Sequence, residues 1–344
     1  MKKTVLSTVA SMVLASSIMA SGGIDKVKTF ELEHAKKLNE QAQILKATAD
    51  DYFNDIKQCG YNYSKCWSKN QEDLAKDVEA MKQAWVEASS NYEIIEGIVA
   101  GMPQTVKYDL ILDAGIPASE GDEDVAPHDL ECGGKCKFTT KKPGNFFHNL
   151  LEPTLWGTHA NYVGKKVDLN GDGVISKGEV LPHAKWLKCV ATNFERHTSN
   201  LVKDINGLDM TLTDVFTAEL TMIPTMGDYF EDWKNGKILG KSESFIALSR
   251  IFDIKGISGG LKVAYMEAIS PELAKKNSKL DQKIKLGFFE LTSFVDNIYM
   301  DEQAGKKFKP EDADAYAAKA QDMADRLSAL IAKGAKILHI TPDI

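Results

Sequence analysis

The chain has 344 residues, with 42 basic and 49 acidic side chains and a formal net charge of −7. This acidic balance excludes nucleic acid as a favoured partner, because phosphate backbones bind basic surfaces. The length also exceeds what one helical bundle comfortably holds, so two bundles are expected.

The N-terminus is typical of a secretory signal peptide. Lys2 and Lys3 give a positive start, residues 4–19 are apolar or small, and Ala20 offers a small residue for cleavage. We therefore assign residues 1–20 to a signal peptide and expect the protein in the periplasm or secreted from a bacterial cell. Cleavage removes two lysines and takes the net charge from −7 to −9. No later stretch is apolar for eighteen residues, so no transmembrane segment is expected after cleavage.

The remaining sequence predicts helices almost throughout, because apolar side chains recur at helical spacing and strand alternation is missing. Six long helices are expected, at residues 24–57, 70–100, 179–205, 212–234, 277–301 and 310–333. Residues 101–143 are rich in Gly, Pro and acidic side chains and are expected to be irregular. The predicted fold class is all-α, with an N-terminal bundle at residues 24–206 and a C-terminal bundle at residues 207–344.

Residues 168–179, with the sequence DLNGDGVISKGE, match an EF-hand calcium loop at every position. The expected ligands are Asp168, Asn170, Asp172, the carbonyl of Val174, Ser176 directly or through water, and the bidentate Glu179. No second loop of this kind occurs in the sequence. A lone loop in an exported protein is typical of a structural brace with an affinity of roughly 0.1–1 mM. The other interpretation is a solvated polar turn.

Five cysteines agree with an oxidising compartment. Their close spacing predicts two local disulfides and one unpaired cysteine. The expected arrangement is Cys59 with Cys66, Cys132 with Cys136, and Cys189 unpaired. A metal site formed by Cys132, Cys136 and His128 is the alternative.

Two segments place polar side chains among apolar neighbours. Glu93 and Glu96 are three residues apart on one helix face, and isoleucines surround them. His148 and Glu152 are four apart, and His159 lies seven beyond Glu152, which favours a second shared face. Inward glutamates and histidines from separate helices form iron and manganese sites in bundles, and such ligands also suit zinc. We therefore expect these five residues to bind iron (Fe²⁺ or Fe³⁺), with Zn²⁺ as the alternative. The other interpretation is a satisfied core histidine beside a half-solvated acidic face.

Four segments, in sequence order, resemble the imelysin-like family. YEIIE at residues 92–96 resembles its Tyr-Glu-x-Ile-Glu segment, and EPTLWG at residues 152–157 resembles the end of its Gly-x-His-x-x-Glu motif. PTMGDYFEDWKN at residues 224–235 and SRIFDI at residues 249–254 resemble its second half. Within the last segment, Arg250 and Asp253 are three residues apart and are interpreted as a surface ion pair.

The resemblance implies an all-helical envelope protein of two bundles, related to a domain of periplasmic iron-uptake proteins. It places the family's acidic pair at Glu93 and Glu96 and the motif's glutamate at Glu152. The motif's histidine falls on Asn149, one residue after His148. A π-bulge would restore that register, since one extra residue in a turn rotates what precedes it. Otherwise the site lacks its histidine, or His159 replaces it.

Three functions are compatible with these features. The first is a metal-binding protein of iron uptake or handling, working beside an envelope iron-transport system. The second is the metallopeptidase activity for which the family is named, although no His-Glu-x-x-His signature occurs. The third is a calcium-braced interaction protein that has lost its transition-metal site. Because the calcium loop follows the helix that carries Glu152, we also expect calcium to order that helix.

Overall fold

The computed structural model describes residues 3–130, 141–240 and 245–344, with side chains from residue 22 onward. These ranges are mainly helical and contain one two-stranded sheet, which confirms the all-α class. The α-helices are α1 (Lys3–Gln58), α2 (Tyr63–Gly101), α3 (Val106–Leu112), α4 (Glu152–Leu155), α5 (Ala184–Gly207), α6 (Leu212–Met222), α7 (Met226–Trp233), α8 (Arg250–Ala264), α9 (Ser270–Gln303) and α10 (Pro310–Leu338). Three π-helical turns occupy Phe146–Leu151, Lys234–Ile238 and Tyr265–Ile269, and 3₁₀ turns occupy Ala160–Tyr162 and Ile223–Thr225.

All six predicted helices are present, with shifted ends. The helix predicted at residues 212–234 is divided by a 3₁₀ turn at Pro224, since proline has no N–H to continue the α-helical ladder. The predicted starts at Asn70 and Asn277 are kinks inside longer helices, with ψ values of 40° and 78°. Three of the described α-helices, α3, α4 and α8, lie outside the six predicted ranges, and α3 lies in the segment expected to be irregular.

The buried side chains form two hydrophobic clusters. The first is built mainly by α1, α2 and α5, around Trp85, Phe147 and Trp186. The second is built mainly by helices after Gly207, around Trp233 and Phe288. The C-terminal end of α2 and the part of α1 around Val27 also contribute to the second cluster. Both helices therefore contribute to the two clusters. A domain boundary near residue 206 stays a prediction.

A short β-hairpin frames the predicted calcium loop. Strands β1 (Val163–Lys166) and β2 (Val180–Pro182) are antiparallel, with Lys166 paired to Val180. The helix predicted from Glu179 therefore begins only at Ala184. Residues 168–179 connect two strands rather than two helices, so this loop does not lie in the helix–loop–helix setting of an EF-hand.

The disulfide predictions have different outcomes. Cys59 and Cys66 form a disulfide at the turn between α1 and α2, as predicted. Cys189 is also disulfide-bonded, so the prediction that it stays unpaired is wrong. Sequence spacing reveals local pairs only, because distant cysteines meet through the tertiary fold. The predicted pair of Cys132 and Cys136 lies outside the described residues.

Within the described residues, no helix combines the length and apolar character that crossing a membrane requires.

Candidate functional site

Close packing of α8 on α2 buries the predicted acidic pair. Glu93 and Glu96 are 0% and 1% exposed in the C-terminal third of α2. On α8, glycines face them: a Cβ at Gly256 would lie 2.8 Å from Cβ of Glu93, and one at Gly260 would lie 2.0 Å from the carbonyl oxygen of Ile94. Any larger side chain would push the helices apart, so the glycines permit the burial of the two carboxyl groups.

Asp113, which was not predicted as a site residue, completes a group of three carboxyl groups. It caps the C-terminus of α3 and is 3% exposed. One oxygen from each of Glu93, Glu96 and Asp113 lies within 4.8 Å of the other two. The sequence carries a weak signal for Asp113, because Asp109 and Asp113 are four apart in the otherwise apolar stretch YDLILD.

His148 lies on the π-helical turn Phe146–Leu151, so a π-bulge of the kind that would restore the motif register is present. The wide turn is anchored by the side chain of Asn145, which accepts a hydrogen bond from the His148 backbone N–H at 2.7 Å. The imidazole lies between two carboxylates. Its Nδ1 is 3.1 Å from Oε2 of Glu152, and its Nε2 is 2.9 Å from Oδ1 of Asp113.

Glu152 is fully buried and receives hydrogen bonds from the segment that precedes α8. The backbone N–H groups of Phe245, Ile246 and Ala247 donate to its carboxylate at 3.0, 2.7 and 2.9 Å. The carboxylate thus satisfies three amides from the second half of the chain. The ring of Phe245 also packs on the ring of His148, with centroids 4.2 Å apart.

Arg250 forms the predicted ion pair with Asp253, but both residues are buried, so their predicted location on the surface is wrong. Arg250 is 7% exposed, and its Nη1 lies 3.2 Å from Oδ2 of Asp253 and 3.4 Å from Oδ2 of Asp113. The guanidinium lies 4.5 Å from the ring centroid of Tyr229 and 5.0 Å from that of Phe245. It is buried because α8 brings its N-terminus against α3 and α7, which local sequence does not reveal.

His159 does not share a helix face with Glu152. Helix α4 ends at Leu155, and Gly157 adopts a φ of +67°, so the chain turns before it reaches His159. The His159 ring instead stacks on Tyr162 with centroids 4.1 Å apart. The expectation that His159 projects from that helix toward the acidic group is therefore wrong. The alternative metal site of Cys132, Cys136 and His128 has only His128 among the described residues. The His128 ring stacks on the ring of Phe146, with centroids 4.6 Å apart.

The predicted calcium loop holds its acidic side chains against its own backbone. Asp168 accepts hydrogen bonds from the N–H groups of Gly171 and Gly173, both at 2.8 Å. Glu179 accepts from the N–H and hydroxyl of Ser176 at 2.6 and 2.7 Å, and these contacts lower the pKa of Glu179 to about 2. In this arrangement the oxygens of Asp168, Asp172 and Glu179 do not converge on one point.

Comparison with known proteins identifies the family. The sequence profile of imelysin, peptidase family M75, matches residues 31–333 and therefore covers most of the chain. The chain belongs to the imelysin family. A comparison with curated proteins gives no match.

Around this site, the buried carboxyl groups of the described residues outnumber the buried cations. The carboxyl groups are Glu93, Glu96, Asp109, Asp113, Glu152 and Asp253, and the cations are Arg250 and His148. With all of them ionised, six negative charges would face two positive ones, an excess of four in a desolvated environment. Such an excess is compensated either by protons or by a bound cation.

The pKa values follow this imbalance when no cation is bound. Burial, followed by the charges of Asp253 and Glu96, raises the pKa of Glu93 well above its usual range. Burial and the charge of Asp113 raise the pKa of Glu96. Burial also opposes ionisation of Asp113, but His148 and Arg250 outweigh it and lower its pKa. Burial alone would lower the pKa of His148, yet Asp113 and Glu152 raise it to about 10.

The atoms of the site that could bind a metal ion are carboxylate oxygens. No N–H or side-chain hydroxyl donor of the described residues reaches Oε2 of Glu93 or Oε2 of Glu96. Buried carboxylate oxygens that lack donors are suited to a hard cation, which prefers oxygen ligands. Tyr229 donates its hydroxyl to Oε1 of Glu96 at 2.8 Å and thereby fixes the orientation of that carboxyl group. The residues present therefore fit an oxygen-ligated metal ion.

Proposed function

We propose that this imelysin is an exported metal-binding protein of the bacterial envelope that takes part in iron uptake or handling. The convergence of Glu93, Glu96 and Asp113 within 4.8 Å, in a buried cluster with excess negative charge, carries this proposal. In this account residues 1–20 direct export, and an envelope iron-transport system exchanges the ion with the protein.

The donor set favours iron over zinc. Three carboxylates and a nearby phenol offer only oxygen, whereas zinc sites in proteins are dominated by cysteine and histidine ligands. Carboxylates projecting from the helices of a bundle are the ligands that non-haem iron proteins use. We therefore propose iron as the ion and Zn²⁺ as the weaker competitor.

Binding is favoured over the alternative function, peptide hydrolysis. A metallopeptidase needs an open coordination position, a general base and access for a polypeptide. Here the three carboxylates are at most 3% exposed, and the strong zinc-peptidase signature does not occur in the sequence. A small ion can enter such a site far more easily than a peptide chain.

Iron titration of the full mature protein tests the proposal. We expect micromolar or tighter binding by the wild type, and at least a hundredfold loss in Glu93→Gln, Glu96→Gln and Asp113→Asn. Glu219→Gln is the matched control, because Glu219 is a fully buried carboxyl group of α6 in the second hydrophobic region, outside the acidic group. No binding by the folded wild type would refute the proposal and favour a calcium-braced interaction protein that has lost its metal site.

We also propose that residues 168–179 bind Ca²⁺ as a structural brace. The ligand pattern of the sequence supports this, as do the tight turns in which Asp168, Asn170 and Asp172 accept hydrogen bonds from backbone N–H groups of the loop. Bidentate binding by Glu179 would require its carboxylate to release the amides of Leu169 and Asn170 and the N–H and hydroxyl of Ser176. Calorimetric titration should give a dissociation constant of roughly 0.1–1 mM, abolished by Glu179→Gln. An unchanged affinity in that variant would exclude the loop as the site.

A further inference from the structure

Both ring nitrogens of His148 lie within ion-pair distance of carboxylate oxygens. Nδ1 lies 3.1 Å from Glu152 and Nε2 lies 2.9 Å from Asp113. An imidazole ligates a metal through the lone pair of one nitrogen, and that nitrogen cannot at the same time donate to an oxygen. For His148 to bind an ion, its contact with Asp113 or with Glu152 would have to break.

Glu152 is engaged just as fully. Its Oε1 accepts from the N–H groups of Ile246 and Ala247, and its Oε2 accepts from Phe245 and faces His148. Four donors surround two oxygens in a fully buried position. Ligation by Glu152 would leave buried backbone N–H groups without an acceptor, at roughly 1–3 kcal/mol for each.

We infer that His148 and Glu152, the histidine and glutamate of the family motif region, are positioning residues that hold the metal ligand Asp113 in place rather than ligands themselves. This inference rests on the proposed function. The contacts form a line from Glu152 through His148 to Asp113, and Asp113 is the member that belongs to the group of three converging carboxylates. Carboxylates and imidazoles behind a metal ligand orient it and tune its basicity.

The same contacts join the two halves of the chain around the site. Glu152 fixes the amides of residues 245–247, which immediately precede α8. Phe245 then packs its ring between the imidazole of His148 and the guanidinium of Arg250, at 4.2 and 5.0 Å. Glu152 therefore positions Asp113 through His148 and positions Arg250 through Phe245.

X-ray absorption spectroscopy of the iron-loaded mature protein tests the inference directly. We expect a shell of oxygen ligands without the outer scattering that an imidazole ring produces. An imidazole signal in the wild type would overturn the inference while leaving iron binding intact. If the wild type binds no iron in the titration, the proposed function fails and the inference fails with it, so the two failures are distinguishable.

Variants supply a second readout. His148→Gln and Glu152→Gln should bind iron 10–100-fold more weakly than the wild type, with an unchanged oxygen-only spectrum. Asp113→Asn should lose binding, and Glu219→Gln should match the wild type. Glu152→Gln keeps one oxygen acceptor for the amides of Ile246 and Ala247, which favours a folded protein. Loss of one scatterer from the iron shell in folded Glu152→Gln would identify Glu152 as a ligand and refute the positioning role.

Discussion

A buried carboxyl group of α1, Glu31, should make the stability of the protein depend on pH. Glu31 is 0% exposed, and no hydrogen-bond donor of the described residues reaches either of its oxygens. Burial raises the pKa of Glu31 from 4.5 to about 8, against a smaller opposing effect of Lys28. Replacement by glutamine, which has the same shape but no titrating group, isolates its contribution.

The size of the effect on the free energy of unfolding follows from the difference between the pKa of Glu31 in the folded and in the unfolded protein. Below pH 4.5 the carboxyl group is protonated in both the folded and the unfolded protein. Between pH 4.5 and 8 the unfolded chain releases the proton while the folded protein keeps it. Each unit of rising pH in that window therefore lowers the free energy of unfolding by about 1.4 kcal/mol, to a total of roughly 5 kcal/mol. Above pH 8 both states are ionised and the loss levels off.

Urea unfolding of the wild type and Glu31→Gln at pH 5 and pH 7.5 measures this effect. Between these two values the wild type should lose about 3 kcal/mol more than the variant. Glu33→Gln is the control, because Glu33 is exposed on the same helix, and its pH dependence should match that of the wild type. Parallel profiles for the wild type and Glu31→Gln would refute the reasoning and show that Glu31 is hydrated or paired in solution.

Three further predictions concern packing, crosslinking and calcium. Gly260→Ala would place a Cβ 2.0 Å from the carbonyl oxygen of Ile94. It should lower the free energy of unfolding by about 1–3 kcal/mol and weaken iron binding. Gly259→Ala is the control, because its Cβ would lie in open space, and it should do neither. Replacing both Cys59 and Cys66 by serine should lower the free energy of unfolding by about 2 kcal/mol, since the closed loop is short; an unchanged denaturation midpoint would contradict this. Calcium removal should change tryptophan fluorescence and lower either the thermal midpoint or the iron affinity. The reason is a chain of contacts: Trp156 lies against Gly178 of the loop and against Trp85, and Trp85 packs on His148. If calcium alters neither the midpoint nor the iron affinity, the loop and the site are uncoupled.

The sequence was sufficient to predict much of the helical architecture and part of the site. Periodic apolar residues in long segments specify helices locally, because each turn repeats the same burial pattern. Isoleucines beside Glu93 and Glu96 indicated that these carboxyl groups face the interior. The mismatch of one residue between His148 and the family motif left a π-bulge as one of three alternatives, and the structure shows a π-helical turn there.

The helical periodicity failed where the chain leaves a helix early. His159 was placed on the face of Glu152 by counting seven residues, but the helix ends at Leu155. The EF-hand pattern likewise specifies the spacing of the calcium ligands but not the secondary structure on either side of the loop. Pairing between Val163–Lys166 and Val180–Pro182 put this loop in a hairpin, and that pairing depends on contacts between segments fourteen or more residues apart.

The sequence by itself determined the long helices and the acidic pair on α2, because these depend on residues close together in the chain. It also determined the imelysin family, through motifs spread along residues 31–333. Only the tertiary structure revealed that Asp113 and Arg250 join the site, and that Glu152 binds backbone amides of residues 245–247. The environment of a buried charge is set by whichever distant groups surround it in the low-dielectric interior. For this site, that environment arises where α3, α7 and α8 pack near α2. No local sequence pattern predicts this packing.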